Sequence, residues 1–139
     1  MKQFCLLFIV IAIFFSCDKK KLTTEELVVS SKGFNYWLDV NNEDSTLYFD
    51  YLDKNGKWLV FLYKNGIFEK HETPNDVVRT EEWHLQNDST IVKGESSINN
   101  ILKLTADTMI LYNNLLNKTF EFIVAPDSLI PKEYKKIQY

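Results

Sequence analysis

The sequence predicts an all-β protein, an antiparallel meander of about eight or nine short strands with a short helix ahead of it. Three observations carry this. From Phe34 onward apolar and polar residues alternate with period two, the period of a strand lying on a core. Asn55-Gly56 and Asn65-Gly66 interrupt that alternation, and Asn-Gly supplies the positive φ angles of a tight hairpin. No later stretch carries a helical period long enough for a βαβ crossover, so neighbouring strands are expected to pair antiparallel and close into a barrel or fold as a sandwich.

Thr23 and Glu26 have the spacing of a capping box, which predicts a short helix through Leu27 and Val29. Strands are expected at 34–40, 46–52, 57–63 and 67–70, the last two joined at Asn65-Gly66. Along 46–52, Leu47, Phe49 and Tyr51 fall on one face and Tyr48 and Asp50 on the other. After a polar loop holding Pro74, further strands are expected at 79–86, 90–95, 97–105, 108–114 and 118–125. Pro126 and Pro131 then bracket a tail in which 134–137 reads as a terminal helical turn.

The opening segment is of another kind. Lys2 precedes an uncharged apolar run from Phe4 to Ser16. As a helix this run spans roughly 20 Å, short of the ~30 Å of a hydrocarbon core. A basic start, a short apolar run and a small residue before a cut describe a secretory signal peptide. Phe14-Phe15-Ser16-Cys17 resembles the lipobox of bacterial lipoproteins, whose cysteine becomes the mature N-terminus. The resemblance implies a diacylglyceryl thioether on Cys17 and palmitate-type acyl chains, with an unmodified secretory signal as the plainer alternative. Each buried methylene stabilises such an anchor by about 0.8 kcal/mol, so several chains hold firmly where one holds marginally. Lys19, Lys20 and Lys21 then stand beside the headgroups, either attracted to an anionic leaflet or serving as a solvated spacer.

Removing residues 1–16 from the 139 leaves 123, enough for one core, and loss of Lys2 takes the formal charge from −3 to −4. That balance argues against nucleic acid, which wants a basic face. Cys5 leaves with the signal and Cys17 carries lipid, so no disulfide, thiol nucleophile or thiolate metal site is expected. The core alone must supply stability, and 45% hydrophobic with 14% aromatic residues makes that feasible. The expected organisation is signal peptide 1–16, lipidated cysteine and tether 17–32, β domain 33–125 and C-terminal tail 126–139.

Residues 53–61 (DKNGKWLVF) and 83–94 (WHLQNDSTIVKG), followed by Ile98, Leu102 and Leu104, resemble the lipocalin-like domains of small bacterial envelope lipoproteins. The resemblance covers roughly residues 33–124 and implies a fold more than an activity. A barrel of about eight strands is either filled by its own side chains or holds one small ligand. Trp37, Phe49, Trp58, Phe61, Trp83, Phe120 and Phe122 are the candidates to line or fill it, and with only four glycines to leave room a filled interior is favoured.

No phosphate loop, nucleophile elbow or paired acid motif appears, so no catalytic residue, metal or cofactor is expected. His71 and His84 are the two histidines; Glu82 and His84 share a strand face and read as surface polarity rather than a metal pair. Asp39, Glu43, Asp44, Asp50 and Asp53 read as turn chemistry and a solvated face rather than calcium ligands. Four of the nine aspartates stand before a hydroxyl residue, at Ser45, Ser89, Thr108 and Ser128. Turn formation explains the pattern, and the triplet also resembles the acceptor of bacterial O-glycosylation, which would modify those hydroxyls. The expected function is a non-enzymatic, lipid-anchored envelope protein, facing the periplasm and binding a small apolar ligand. A filled barrel that contacts another envelope protein is the alternative.

Overall fold

The structure, a computed structural model, describes residues 21–41, 45–72 and 80–136. Cys17, Lys19, Lys20, Glu43, Asp44, Pro74, Arg79 and Ile137 lie outside them. Among the described residues one helix, α1 (Thr24–Val29), precedes nine strands: β1 (Phe34–Asp39), β2 (Leu47–Asp53), β3 (Trp58–Lys64), β4 (Ile67–Lys70), β5 (Trp83–Asn87), β6 (Thr90–Lys93), β7 (Ser97–Leu104), β8 (Thr108–Asn113) and β9 (Lys118–Val124). A 3₁₀ turn, Lys132–Lys136, ends the described chain. All nine strands join one antiparallel sheet in the order β4-β3-β2-β1-β9-β8-β7-β6-β5, curled into a half-barrel. The first and last strands pair, Trp37 opposite Val124, as in a closed meander; the wall is interrupted between β4 and β5 instead.

One end of that seam is latched. Lys57 bridges Glu82, the Trp58 N–H donates to the Glu81 carbonyl at 2.9 Å, and the Trp83 N–H donates to the Gly56 carbonyl at 2.7 Å. The Trp83 indole N–H reaches the Asp53 carbonyl at 2.8 Å. The Glu81 carboxylate sits 2.9 Å from Lys57 and also pairs with Lys70 at the end of β4, so charge spans the gap that backbone pairing leaves.

Period-two alternation gives the sheet two apolar faces. The concave face gathers Trp37, Leu52, Trp83, Ile91, Met109, Leu111 and Phe122, and α1 plugs one end of it with Val28 and Val29. The helix is only six residues long, too short to persist alone, and is fixed by its ends. Thr23 Oγ1 accepts from the Glu26 N–H while Glu26 Oε2 accepts from the Thr23 N–H, completing the capping box. Trp37 Nε1 donates to the Val28 carbonyl at 2.9 Å, satisfying one of the helix's unpaired C-terminal acceptors inside the core.

The convex face of β1–β4 carries a second cluster, Tyr36, Phe49, Tyr51, Leu59, Phe61 and Phe68, which the C-terminal segment covers. The rings of Phe61 and Phe68 stack at 5.2 Å; Tyr134 packs on both, and its carbonyl accepts from the Tyr36 hydroxyl at 2.9 Å. Each fully buried aromatic side chain stabilises by about 1.5–3 kcal/mol before entropy is counted, so this segment is part of the domain's core.

Three local expectations are corrected. Asp50 and Asp53 are not on a solvated face; both are buried. Asp53 still does turn chemistry, its Oδ1 accepting from the Asn55 and Lys57 N–H groups at 2.9 Å each. Consequently only Gly56 has positive φ there, whereas at the β3–β4 turn both Asn65 (52°) and Gly66 (83°) do, as a two-residue hairpin requires. Strand β5 begins at Trp83, because residues 81–82 are drawn off to the latch.

The two turns differ in how crowded they are. A Cβ at Gly56 stands 3.2 Å from the Trp83 carbonyl, and one at Gly66 meets nothing within 4 Å. Urea unfolding is expected to show Gly66→Ala costing about 1 kcal/mol and Gly56→Ala at least about twice that; equal losses would disprove a crowded latch. Burial works to raise the Glu81 pKa, but hydrogen bonds from Lys70 and Lys57 and their charges outweigh it and hold the group below its ordinary 4.5. A lowered folded-state pKa stabilises above the unfolded value and is lost as pH falls through the folded one. Glu81→Gln is therefore expected to flatten the stability profile just below pH 4.5, an effect that salt weakens because the pair is part-exposed.

Candidate functional site

The concave face is packed at the α1 end and open at the other, where the end of β1, the ends of β6 and β7 that face each other, and the β8–β9 turn lie. There the strand ends enclose a cleft of about 450 Å³. Its walls are aromatic, from Tyr48, Trp58, Phe120 and Phe122, and its more exposed polar groups are Asp39, Ser97, Lys118 and the Tyr48 hydroxyl. Phe120 and Phe122 stack with ring centres 6.5 Å apart, and the Lys118 ammonium lies 5.1 Å from the Phe120 ring centre.

The floor holds a buried ion pair. Asp50, central in β2, and Lys93, last in β6, meet at 2.6 Å with side chains 10% and 9% exposed. Alternation puts both on the concave face, Asp50 between Tyr48 and Leu52, Lys93 two residues after Ile91. Trp58 Nε1 donates to Asp50 Oδ1 at 3.0 Å while Lys93 occupies Oδ2, so each carboxylate oxygen has a donor. The Lys93 ammonium also lies 5.0 Å from the Phe122 ring centre and 5.7 Å from that of Trp58. Ring faces are weakly attractive to a cation and accept no full hydrogen bond.

Beside the pair, Asn113 Nδ2 donates to Asn99 Oδ1 at 3.0 Å, and Asn99 Nδ2 donates to the Ser97 carbonyl at 2.8 Å. Asn113 Oδ1 accepts from the Leu116 N–H at 2.9 Å, tying the β8–β9 turn to the cleft wall. Among the described residues no group of three or more His, Cys, Asp or Glu gathers as metal ligands. The arrangement can hold a small molecule between rings and offer it a fixed charge.

Of the residues singled out from sequence, Trp58, Phe120 and Phe122 line this cleft from the concave face and Phe49 borders it, while Trp37 and Trp83 lie in the packed part of the same face. Phe49 and Phe61 belong to the convex cluster, because odd-numbered residues of β2 and β3 point that way. Ser45, Ser89 and Ser128 are exposed. Thr108 is half-buried and donates to Asp107 Oδ1 at 3.2 Å; with the hydroxyl of Thr105 this holds the Asp107 carboxyl below its usual range. Glu82, just before β5, and His84, within it, are both exposed. Asp50, Lys93, Asn99 and Asn113 were not singled out as a site. Their signal was a charge or amide standing at an apolar-face position of an alternating strand.

The pair generates its own prediction. Asp50→Ala leaves a buried ammonium without its partner and is expected to cost about 3–5 kcal/mol in urea unfolding. Replacing both, Asp50→Asn with Lys93→Met, is expected to cost far less; a double variant as weak as the single one would refute the isolated-charge explanation. No protein family, curated protein or solved structure matches the chain.

Proposed function

We propose that the protein is a lipid-anchored binding protein of the bacterial envelope that holds one small, largely apolar molecule in the cleft of its half-barrel. The observation that carries this reading is the cleft itself: about 450 Å³, within the range of small-molecule sites, walled by rings and floored by a few convergent polar groups. A completely filled interior would have favoured a scaffold. The anchor rests on Phe14-Phe15-Ser16-Cys17 and the apolar run before it. Among the described residues no helix is long and apolar enough to cross a membrane. On this reading the tether leads into α1, at the packed end of the concave face.

The alternative, a contact with another envelope protein, draws on Leu115 and Leu116, which stand 82% and 62% exposed at the β8–β9 turn beside the mouth. Glycosylation at Ser45, Ser89 or Ser128 is compatible with their exposure, and Thr108 is the least available of the four.

The test has two arms on one preparation. The native chain is expected in the membrane fraction, with an intact mass that includes acyl chains, and Cys17→Ser in the soluble fraction. A mass equal to chain plus lipid rejects the glycan. The soluble Cys17→Ser chain is then titrated with the uncharged dye N-phenyl-1-naphthylamine. Saturable one-to-one binding, weakened at least about fivefold when Phe120→Glu places a charge in the wall, supports the reading. Absence of binding, or indifference to Phe120→Glu with an unchanged melting temperature, rejects the cleft as a site.

A further inference from the structure

The buried polar inventory of the cleft floor is lopsided. Both Asp50 oxygens already accept hydrogen bonds, from Trp58 and Lys93, and the side-chain oxygens of Asn99 and Asn113 each accept one as well. The donors are not used up. An ammonium carries three N–H groups, and Lys93 has a single described acceptor, Asp50 Oδ2. Its other neighbours are the ring faces of Trp58 and Phe122. Asn113 likewise spends one of its two amide hydrogens on Asn99. Lys93 and Asn113 both line the cleft, so the unspent donors border the space a ligand would enter.

Charge sets a second condition. The floor is neutral as it stands, one carboxylate against one ammonium at 2.6 Å. A ligand carboxylate there would leave one buried negative charge in excess, and a ligand ammonium would compete with Lys93 for an Asp50 that is already satisfied. The walls set the third condition, since stacked rings favour a flat partner.

Resting on the proposed binding role, we infer that the cleft selects an uncharged, planar aromatic molecule carrying a carbonyl-type acceptor on its edge, with Lys93 Nζ as the donor that recognises it. The ring lies against Phe120 and Phe122, and the carbonyl oxygen takes an N–H that Asp50 does not use. Lys93 is thus a specificity residue, and Asp50 orients it.

The test is competition against N-phenyl-1-naphthylamine on the soluble Cys17→Ser chain, with four probes of one ring size: naphthalene, 2-acetylnaphthalene, 2-naphthoate and 2-naphthylmethylammonium. The expected order puts 2-acetylnaphthalene first, about tenfold tighter than naphthalene, the ratio of a hydrogen bond from a charged donor. Both charged probes bind more weakly than the ketone. In the Asp50→Asn, Lys93→Met double variant the ratio of ketone to naphthalene affinity, taken within that variant, shrinks from about tenfold to within about twofold, which a purely structural role for Lys93, weakening both probes alike, would not produce. Equal binding of ketone and naphthalene in the unsubstituted floor overturns the inference, and so does a preference for the carboxylate or the ammonium. In those cases the cleft still binds rings, and the binding role stands. If the dye itself fails to bind, both fall together.

Discussion

The latch between residues 53–58 and 81–83 is the constraint from which the rest of the structure follows. A nine-stranded sheet has two edges, and pairing β1 with β9 moves those edges into mid-sequence, to β4 and β5. The two edge strands do not pair with each other, and the bonds that hold the gap lie at the starts of β3 and β5, where Trp58 and Trp83 each give an N–H to the other segment. The same tryptophans carry on into the concave face, Trp58 to the cleft and Trp83 to the core. The seam, the core and the cleft therefore share a handful of hydrogen bonds. Elsewhere the edges carry Lys70, Glu69, Gln86 and Asn87, polar groups that discourage pairing with another chain.

Curvature makes the two faces unequal. On the concave side the walls converge, so one six-residue helix and a few large side chains fill half the interior. On the convex side of β1–β4 the surface spreads, and covering it takes the C-terminal segment with Ile130 and Tyr134. The remainder of the convex surface, across β7, keeps Ile98 and Leu102 about half or more exposed. Two clusters on one sheet explain how 14% aromatic residues are accommodated without a larger barrel, and why rings at adjacent positions in β1, Tyr36 and Trp37, have separate partners.

The half of the interior that is not filled is where polar groups are buried. An ion pair under apolar walls contributes little net stability, since desolvation of both charges offsets most of their attraction. Leu or Met at those positions would pack at no such cost. What Asp50 and Lys93 supply instead is a donor of fixed position in a buried setting, where a hydrogen bond counts for more than it does in water. The Asn99–Asn113 pair and its tie to the Leu116 N–H hold the adjoining wall in one arrangement. The cleft is thus prepared ahead of any ligand, which reduces the ordering that binding must accomplish.

Sequence by itself determined the strands, because each is a local matter of alternation and turn chemistry: IFEK at 67–70 ends where Gly66 and the following polar loop say it must. The capping box was equally legible, since Thr23 and Glu26 need only each other. It misjudged Asp50, whose place among acids in sequence suggested solvent; its partner is 43 residues away and its burial depends on which face the sheet curls around. The aromatic residues posed the same difficulty: alternation separates Trp58 from Phe61 by face, but no local rule says which face is concave. Tertiary structure decided that, by placing the break in the wall at β4 and β5. Local dihedral preference acts over a few residues, whereas the inside of a curved sheet exists only once distant edges have met.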